Sequence, residues 1–258
     1  MTGPLRLERE DGLAVLSFDA PPLNLFDRQM FDAFHAAVRE LAAETPRGLL
    51  IRADHRAVSG GVDVHEFDGL SVQQGADLWV ELLESVQILE DLPCPTVFAA
   101  HALCLTAAFE IALACDILLA AESARFGLVE IVVGLTPSMG GPQRLAQRAG
   151  PARAKELIYT GELFTAGQLE SWNVVNRVLP EEQFDEAARA FTRRIADGPT
   201  LAHAATKAII ARQVEQGVRA ADALVPEVSG ALFATEDLQG GVRSFLSEGP
   251  GKAIYRGR

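Results

Sequence analysis

Two glutamates set in apolar segments are the residues of this chain whose type and surroundings most favour chemistry. Glu110 lies in the mostly apolar segment 105–116, and Glu130 lies in the mostly apolar segment 124–131. Burial of a carboxylate is unfavourable unless the group is paired, hydrogen-bonded or protonated, and burial raises the carboxyl pKa towards neutrality. A carboxyl group of this kind can act as a general acid or base at pH 7. Two of them brought together could share the removal and the delivery of a proton.

Each glutamate also has a simpler interpretation. A single Glu in an apolar run is more often salt-bridged or turned towards the solvent. A helix-capping role is disfavoured for Glu110, because a capping box that starts at Thr106 needs its acid three residues later, where Phe109 stands. The catalytic interpretation therefore depends on the neighbouring segments.

Two turns near these glutamates could supply hydrogen-bond donors. Gly60 and Gly61 form a Gly-Gly turn, which lets a backbone approach a ligand closely, although an ordinary loop is the alternative. The first turn of the helix predicted around Glu110 has N–H groups without helical partners, and its dipole favours negative charge. If the N–H groups of Val62 and Ala107 converge, they form an oxyanion hole that can stabilise an enolate grown from a thioester carbonyl.

Composition narrows the class of protein. With 258 residues, 48% hydrophobic and 22% charged, the chain suits one large globular domain, or a core with a small appendage. A formal net charge of -12 argues against a broad nucleic-acid-binding surface. The apolar run 96–121 is interrupted by His101, Glu110 and Asp116, so a buried strand followed by a buried helix is favoured over a membrane span.

Strands alternate with helices along the first part of the chain, and helices alone follow. This order predicts an α/β core with a helical C-terminal part. The predicted strands are 5–10, 13–18, 48–52, 96–100, 116–121 and 124–126, and the predicted helices are 26–43, 76–90, one from 106, 141–149, 151–160, 165–172, 182–196, 201–216 and 220–233.

The cysteines and the N-terminus predict a cytoplasmic protein. Cys94, Cys104 and Cys115 are odd in number and lack metal-binding spacing, which indicates a reducing compartment, buried thiols and no metal. Residues 1–11 contain no apolar segment of the kind that a secretory signal requires.

A series of segments resembles the crotonase superfamily, and specifically the enoyl-CoA hydratase/isomerase family. The order and spacing of these segments along nearly the whole chain are specific, although no single one is decisive. The segments are 21–25, 58–64, 94–100, 110–116, 126–131, 134–145, 160–166 and 173–180.

The resemblance implies a fold and an assembly. The expected fold is a crotonase-like spiral of β-β-α units over residues 1–195, followed by a helical C-terminal region over 196–258. That region is expected to trimerise and to form part of the acyl-CoA site. Trimers of this family commonly pair, so a homotrimer or a dimer of trimers is expected, with neither nucleic acid nor membrane as a partner.

The resemblance also implies a reaction in fatty acid metabolism. Family hydratases add water in the syn sense across the 2,3 double bond of a trans-2-enoyl-CoA, without a metal or redox cofactor. The acid at the position of Glu130 delivers the proton and activates the water, and the one at the position of Glu110 positions and polarises that water. The N–H groups of Val62 and Ala107 would hold the thioester oxygen. Further substrate contacts are expected from Leu25, Ser59, Gly60, Gly61, Asp63, Val64, Leu105 and Lys252.

The chain departs from the family pattern at the start of the Glu110 helix. Thr106, Ala107 and Ala108 replace a common Gly-Gly-Gly, which keeps the backbone N–H groups but adds side chains that narrow the approach. Asp19 stands where a basic residue often contacts the CoA phosphates. Lys252 and Arg256 could supply those contacts instead, or could be ordinary exposed charges. His101 replaces a common Asn, and it either lines the site or is a core or loop histidine.

Three functions stay open at this level. Enoyl-CoA hydration is favoured because both acids are present, whereas isomerases typically use one. Another crotonase reaction, such as double-bond isomerisation, thioester hydrolysis or decarboxylation, is the second. A non-catalytic homologue that binds acyl-CoA or RNA, or serves as a scaffold, is the third, and the net charge and the two retained glutamates argue against it. The sequence does not separate CoA from an acyl-carrier protein as the thioester carrier.

Overall fold

The computed structural model describes residues 3–258, so the first two residues of the N-terminal segment lie outside the described part. Nine strands are described, namely β1 Leu5–Glu10, β2 Leu13–Phe18, β3 Gly48–Ala53, β4 Thr96–Ala100, β5 Leu103–Leu105, β6 Ile117–Ala121, β7 Arg125–Gly127, β8 Phe164–Thr165 and β9 Arg177–Leu179. The helices described are α1 Arg28–Ala43, α2 Val72–Glu90, α3 Thr106–Ala114, α4 Gly141–Ala149, α5 Pro151–Thr160, α6 Ala166–Ser171, α7 Phe184–Ala196, α8 Thr200–Gln216, α9 Val218–Ala231 and α10 Glu236–Glu248. This arrangement confirms the predicted α/β class.

The larger sheet has the strand order β1-β2-β3-β4-β6-β9. β1 and β2 form an antiparallel hairpin, and the other neighbours are parallel. Every residue of β2 is buried, as expected for a strand covered on both faces. Alternate residues of β2 pack in different apolar clusters: Leu16 belongs to the main core, whereas Val15 packs in a second cluster with Phe184 of α7. The sheet is therefore a rigid support between two apolar layers.

The smaller sheet, β5-β7-β8, brings the two glutamates to one edge. β5 and β7 are parallel neighbours in a register that pairs Leu105 with Gly127, the last residue of each strand. The chain leaves β5 directly into α3, which carries Glu110, and it leaves β7 towards a short 3-10 helix, Glu130–Val133. Because the carboxyl ends of parallel strands meet at the same edge, residues that follow them closely are placed together.

Helix α3 is buried along its entire length. All nine of its residues, Glu110 included, are buried, which suits a helix that is apolar on every side. Its N-cap residue, Leu105, makes no side-chain capping hydrogen bond. The N–H groups of the first turn therefore have no capping partner of the usual kind.

Several element boundaries differ from the sequence predictions for local reasons. Helix α2 begins at Val72 rather than at 76, because a capping box between Ser71 and Gln74 starts the helix before Gly75. Helix α10 was not predicted at all, although Thr235 caps it and acidic residues occupy its first turn. The short strands β5, β8 and β9 were also missed, because two or three residues carry no usable periodicity.

The proposed domain boundary at 195/196 falls at the end of α7, just before α8 begins. Helix α7 packs on the larger sheet, whereas α8 and α9 pack chiefly on each other. The division of the chain into two units stays a prediction. No helix within residues 3–258 is both long and apolar enough to cross a membrane.

Candidate active site

Both glutamates line one cavity of about 220 Å³. Gly60, Gly61 and Val62 form part of its wall, and Thr106 at the start of α3 lies in the same wall. Most of the remaining wall is apolar, with contributions from Phe31, Val64, Phe67, Trp79, Leu82, Val129, Val132, Val133, Leu135 and Met139. The cavity therefore combines a small polar centre with a predominantly apolar surface, as small-molecule sites commonly do.

Glu110 is held rigidly on one side of this cavity. Glu110 is only 2% exposed. Its Oε1 accepts hydrogen bonds from the N–H groups of Met139 (2.9 Å) and Gly141 (2.8 Å). A Cβ at Gly141 would lie 2.9 Å from that Oε1, so glycine is required for the close approach. No described residue donates a hydrogen bond to Oε2, which leaves that oxygen able to bind a water or a substrate atom.

Glu130 is held quite differently. It is the first residue of the 3-10 helix Glu130–Val133, and both of its carboxylate oxygens are buried without a hydrogen-bond partner among the described residues. A buried polar group without a partner is unfavourable by about 1–3 kcal/mol. Such a carboxyl group has its full hydrogen-bonding capacity available for a ligand.

Burial raises the pKa of both carboxyl groups. Desolvation, assisted by the nearby charge of Glu130, raises the pKa of Glu110 to about 8, against the opposing effect of its two backbone hydrogen bonds and Arg144. Desolvation raises the pKa of Glu130 to about 7, against the smaller opposing effect of the residue's own backbone N–H. Because the two groups interact, their titration belongs to the pair. The pair therefore exchanges protons near neutral pH, as acid–base catalysis requires.

The Gly-Gly turn is fixed by a local hydrogen-bond network. Ser59 Oγ donates to the carbonyl of Asn24 (2.8 Å) and accepts from the N–H of Gly61 (2.9 Å). Gly61 has φ of +109°, a conformation that favours glycine. A parallel bridge joins Phe26 to this turn through the Gly61 carbonyl and the Asp63 N–H. The N–H of Val62, between them, therefore points away from Phe26.

The second predicted donor is less accessible. Ala107 is the second residue of α3, so its N–H has no partner within the helix. Ala107 has no exposed surface, however, and Thr106 rather than Ala107 lines the cavity. The pairing of Val62 and Ala107 as an oxyanion hole stays a prediction.

The other predicted substrate contacts divide into two groups. Gly60, Gly61 and Val64 line the cavity, whereas Leu25 does not line it but packs against Gly60, where a Cβ would lie 3.2 Å from Leu25 Cδ2. The remaining four do not line it: Ser59 and Leu105 belong to the supporting framework, Asp63 caps the 3-10 helix Val64–Phe67, and Lys252 is exposed near the C-terminus.

The polar residues discussed with the departures from the family pattern do not line the cavity and make contacts elsewhere. His101 Nε2 lies 2.9 Å from the carbonyl of His55, in a separate polar pocket, so it is a loop histidine outside the candidate site. Asp19 pairs with Arg6 and with His55. The backbone N–H of Arg256 donates to Asp237.

Arg144 is a supporting residue that sequence reasoning missed. It is 8% exposed, forms a bidentate ion pair with Glu90, and lies on α4 immediately after the turn that binds Glu110. The sequence could have singled out Arg144 because it follows Gly140 by four residues and lies within the segment 134–145, which resembles the family. No group of three or more His, Cys, Asp or Glu side chains within residues 3–258 is arranged to hold a metal ion.

Comparison with known proteins identifies the family. The family model for enoyl-CoA hydratase/isomerase matches residues 8–252. The chain belongs to this family. A Mycobacterium tuberculosis protein named "Probable enoyl-CoA hydratase" is 34% identical over 201 residues, which cover 78% of this chain and 77% of that protein. The crotonyl-CoA hydratase of Syntrophomonas wolfei is 27% identical over 245 residues, which cover 94% of each chain.

Solved structures of the family share the fold. An enoyl-CoA hydratase of Mycobacterium smegmatis superposes with a TM-score of 0.89 at 26% identity, covering 95% of this chain and 96% of that one. A Bacillus anthracis enoyl-CoA hydratase gives a TM-score of 0.91 at 24% identity, covering 99% and 100%, and shows the fold alone. These matches confirm the predicted crotonase fold over nearly the whole chain.

Proposed function

We propose that this family member is an enoyl-CoA hydratase, a hydro-lyase that adds water across the 2,3 double bond of a trans-2-enoyl-CoA. The observation that carries the proposal is the pair of buried carboxyl groups, Glu110 and Glu130, in one cavity with pKa values near neutrality. The relatives named as hydratases support the same reaction. Two carboxyl groups also favour hydration over double-bond isomerisation, for which one acid suffices.

The proposed mechanism uses the different settings of the two acids. Glu110, fixed through Oε1, positions a water through Oε2 and polarises it. The water oxygen bonds to the β-carbon while one of its protons passes to the carboxyl pair, and Glu130 delivers a proton to the α-carbon on the same face. One water is thus added across the double bond, and the pair regains its starting protonation.

The thioester oxygen becomes enolate-like during this reaction, so hydrogen-bond donors must face it. The N–H of Val62 is the proposed first donor, because it lies in the cavity wall and points away from its Phe26 neighbour. The N–H of Ala107 is the proposed second donor. The reaction needs only water and these groups, so the chain needs no cofactor, and coenzyme A enters as part of the substrate.

A homo-oligomer is part of the proposal. Large apolar side chains of the C-terminal region are exposed in the single chain: Phe233, Val242, Phe245, Leu246 and Ile254. Patches of this kind mark interaction surfaces, and in this family we infer a homotrimer or a dimer of trimers. Light scattering on the purified protein tests the proposal, since a monomeric mass would contradict it. Three free, buried thiols support a reducing, cytoplasmic location.

The decisive experiment follows the loss of the conjugated enoyl-thioester absorbance with crotonyl-CoA. Rapid loss with the wild-type protein, and loss slowed by several orders of magnitude in Glu130→Gln, is the expected result. Glu156→Gln, an exposed change on α5, is the matched control and should behave like the wild type. A folded, oligomeric wild-type protein that leaves the absorbance of crotonyl-CoA and longer enoyl-CoAs unchanged would overturn the proposal and favour another crotonase reaction.

A further inference from the structure

Thr106, the first residue of α3, carries two unfavourable features at once. Its φ is +47°, a left-handed conformation that β-branched residues rarely adopt and that is unfavourable by about 1–3 kcal/mol. The residue is only 6% exposed, and its hydroxyl Oγ1 is buried without a hydrogen-bond partner among the described residues. A buried hydroxyl without a partner is itself unfavourable. The hydroxyl therefore makes no stabilising hydrogen bond within residues 3–258, and its presence requires another explanation.

The hydroxyl lies between the two backbone segments proposed to bind the thioester oxygen. A Cβ built on Gly61 would be 3.1 Å from Thr106 Oγ1, so the hydroxyl lies directly against the residue that precedes Val62. Ala107 follows Thr106 in the chain. The backbone N–H of Leu105 donates to the Ser59 carbonyl (3.2 Å), which fixes the start of α3 against the Gly-Gly turn. Thr106 therefore lies beside both proposed donors and in the cavity wall.

We propose that the Thr106 hydroxyl is a third hydrogen-bond donor to the thioester oxygen, and therefore a catalytic residue of this chain. The inference rests on the proposed thioester chemistry. The hydroxyl proton can rotate towards the oxygen, and the bond strengthens as negative charge develops there. Of the first two residues of α3, Thr106 lines the cavity and Ala107 does not, so the hydroxyl is the side-chain group that the start of α3 presents there. Binding of substrate supplies the partner that the hydroxyl lacks among the described residues.

Three substitutions at this position separate the hydroxyl from the shape and the backbone conformation. Thr106→Val keeps the β-branch and nearly the same volume and removes only the hydroxyl. Thr106→Ser keeps the hydroxyl and removes the methyl group, and Thr106→Gly removes the side chain and relieves the positive φ. Thr206→Val, an exposed threonine on α8, is the matched control for the same chemical change elsewhere.

The expected result is a loss of transition-state stabilisation. In crotonyl-CoA hydration, Thr106→Val and Thr106→Gly should lower kcat by about 10- to 100-fold with KM changed less than about threefold, as for loss of one donor to an oxyanion. Thr106→Ser should retain kcat within about threefold. The thermal unfolding temperature of Thr106→Val should equal or exceed that of the wild type, because an unpartnered buried hydroxyl has been removed. Wild-type kcat in Thr106→Val, or an increase in KM alone, would overturn the inference.

A stable enolate tests the donor without hydration. Acetoacetyl-CoA ionises at C2 to an enolate that absorbs in the near ultraviolet, and a donor to its thioester oxygen favours that enolate on the protein. Thr106→Val should bind the enolate about tenfold or more weakly than the wild type, and Thr106→Ser should not. If the wild type fails to hydrate enoyl-CoAs but this difference in enolate binding is seen, the proposed function fails and the third donor stands. Equal enolate binding by wild type and Thr106→Val would overturn the third donor, whatever the hydratase activity.

Discussion

The two walls of the cavity that carry the glutamates differ in how they hold the carboxyl groups. The α3–α4 wall fixes Glu110 with two backbone N–H groups, and Arg144, which is ion-paired with Glu90, donates to the carbonyl of Gly140 in the turn that supplies them. The wall formed by the 3-10 helix Glu130–Val133 gives the Glu130 carboxylate no partner. One carboxyl group is thus oriented by the protein, whereas the other keeps its hydrogen-bonding capacity for the ligand. This difference suits a reaction in which one acid holds a water and the other delivers a proton.

Loss of the Glu130 carboxyl group should have the largest effect on activity. Glu130→Gln removes the proton donor, so kcat for crotonyl-CoA should fall by about 10³- to 10⁴-fold. The thermal unfolding temperature should stay the same or rise, because a partnerless buried carboxyl group is replaced by a neutral amide. Steady-state kinetics and thermal unfolding of the same preparation measure both effects. Turnover within about tenfold of the wild type would remove Glu130 from the mechanism.

Replacement of each glutamate with leucine should change the free energy of unfolding differently in the two walls. Glu110→Leu leaves the N–H groups of Met139 and Gly141 buried without an acceptor, so the free energy of unfolding should fall by about 1–3 kcal/mol for each. Glu130→Leu breaks no hydrogen bond to another residue within 3–258 and should be neutral or stabilising. Chemical denaturation of both variants at one protein concentration measures the difference. Equal destabilisation of the two variants would contradict the contrast between the walls.

The close approach of α4 to Glu110 offers a backbone test of the rigid wall. Gly141→Ala places a Cβ 2.9 Å from Glu110 Oε1, which must move or lose its hydrogen bond from residue 141. We expect kcat to fall by about 10- to 100-fold, because small displacements of a positioning group are costly in catalysis. Gly167→Ala on α6, where a Cβ meets no atom within 4 Å, is the matched control. Equal activity of the two variants would show that the position of Oε1 does not matter.

The same contrast explains which parts of the site the sequence could predict. Glu110 and Glu130 stand out because a charged residue in an apolar segment is visible locally. Thr106 was noticed only as a departure from a glycine pattern, since its positive φ and its buried hydroxyl are visible only in the folded chain. Lys252 does not line the cavity of the single chain, and its contact with the substrate stays a prediction, because local sequence does not specify how the C-terminal segment packs. Local patterns specify which residues are unusual, whereas long-range packing decides what each of them contacts.

The fold shows a similar division. Helices α1, α4 and α5 were predicted to within two residues, because they combine clear periodicity with capping or with glycine and proline boundaries. Strand β5 was missed although it orients α3, because three residues paired with a distant strand have no local signature. The parallel pairing of β5 with β7, which brings the glutamates together, joins segments about twenty residues apart. Only the complete fold reveals that pairing.

The positive charge of Arg144 should influence the pKa of Glu110 in the rigid wall. Its guanidinium favours the ionised form of Glu110 and so lowers that pKa. Arg144→Met keeps most of the apolar stem, and it leaves Glu90, which is partly exposed, in contact with water. We expect the limb of the kcat/KM pH profile that reports the Glu110–Glu130 pair to move upward, with a smaller loss of maximal rate than in Gly141→Ala. An unchanged profile would show that the ion pair with Glu90 neutralises the influence of Arg144.

The smallest expected effect is a pH dependence of stability that comes from the two glutamates. Burial raises both pKa values from an ordinary value of 4.5, to about 8 for Glu110 and to about 7 for Glu130, so the folded state binds protons more tightly than the unfolded state. Their contribution to stability is therefore fully present below about pH 4.5 and is lost as the pH rises through 7 and 8. Between about pH 5 and pH 9 the wild type should lose at least about 1 kcal/mol more of its free energy of unfolding than the double variant Glu110→Gln/Glu130→Gln.

Single variants sharpen the comparison of the walls. Glu130→Gln also removes the charge that raises the pKa of Glu110, so this variant should abolish more of the pH dependence of stability than the titration of Glu130 alone contributes. Parallel stability profiles for wild type and double variant would mean that the pair is solvated enough to titrate normally, and the acid–base assignment would then lose its physical basis.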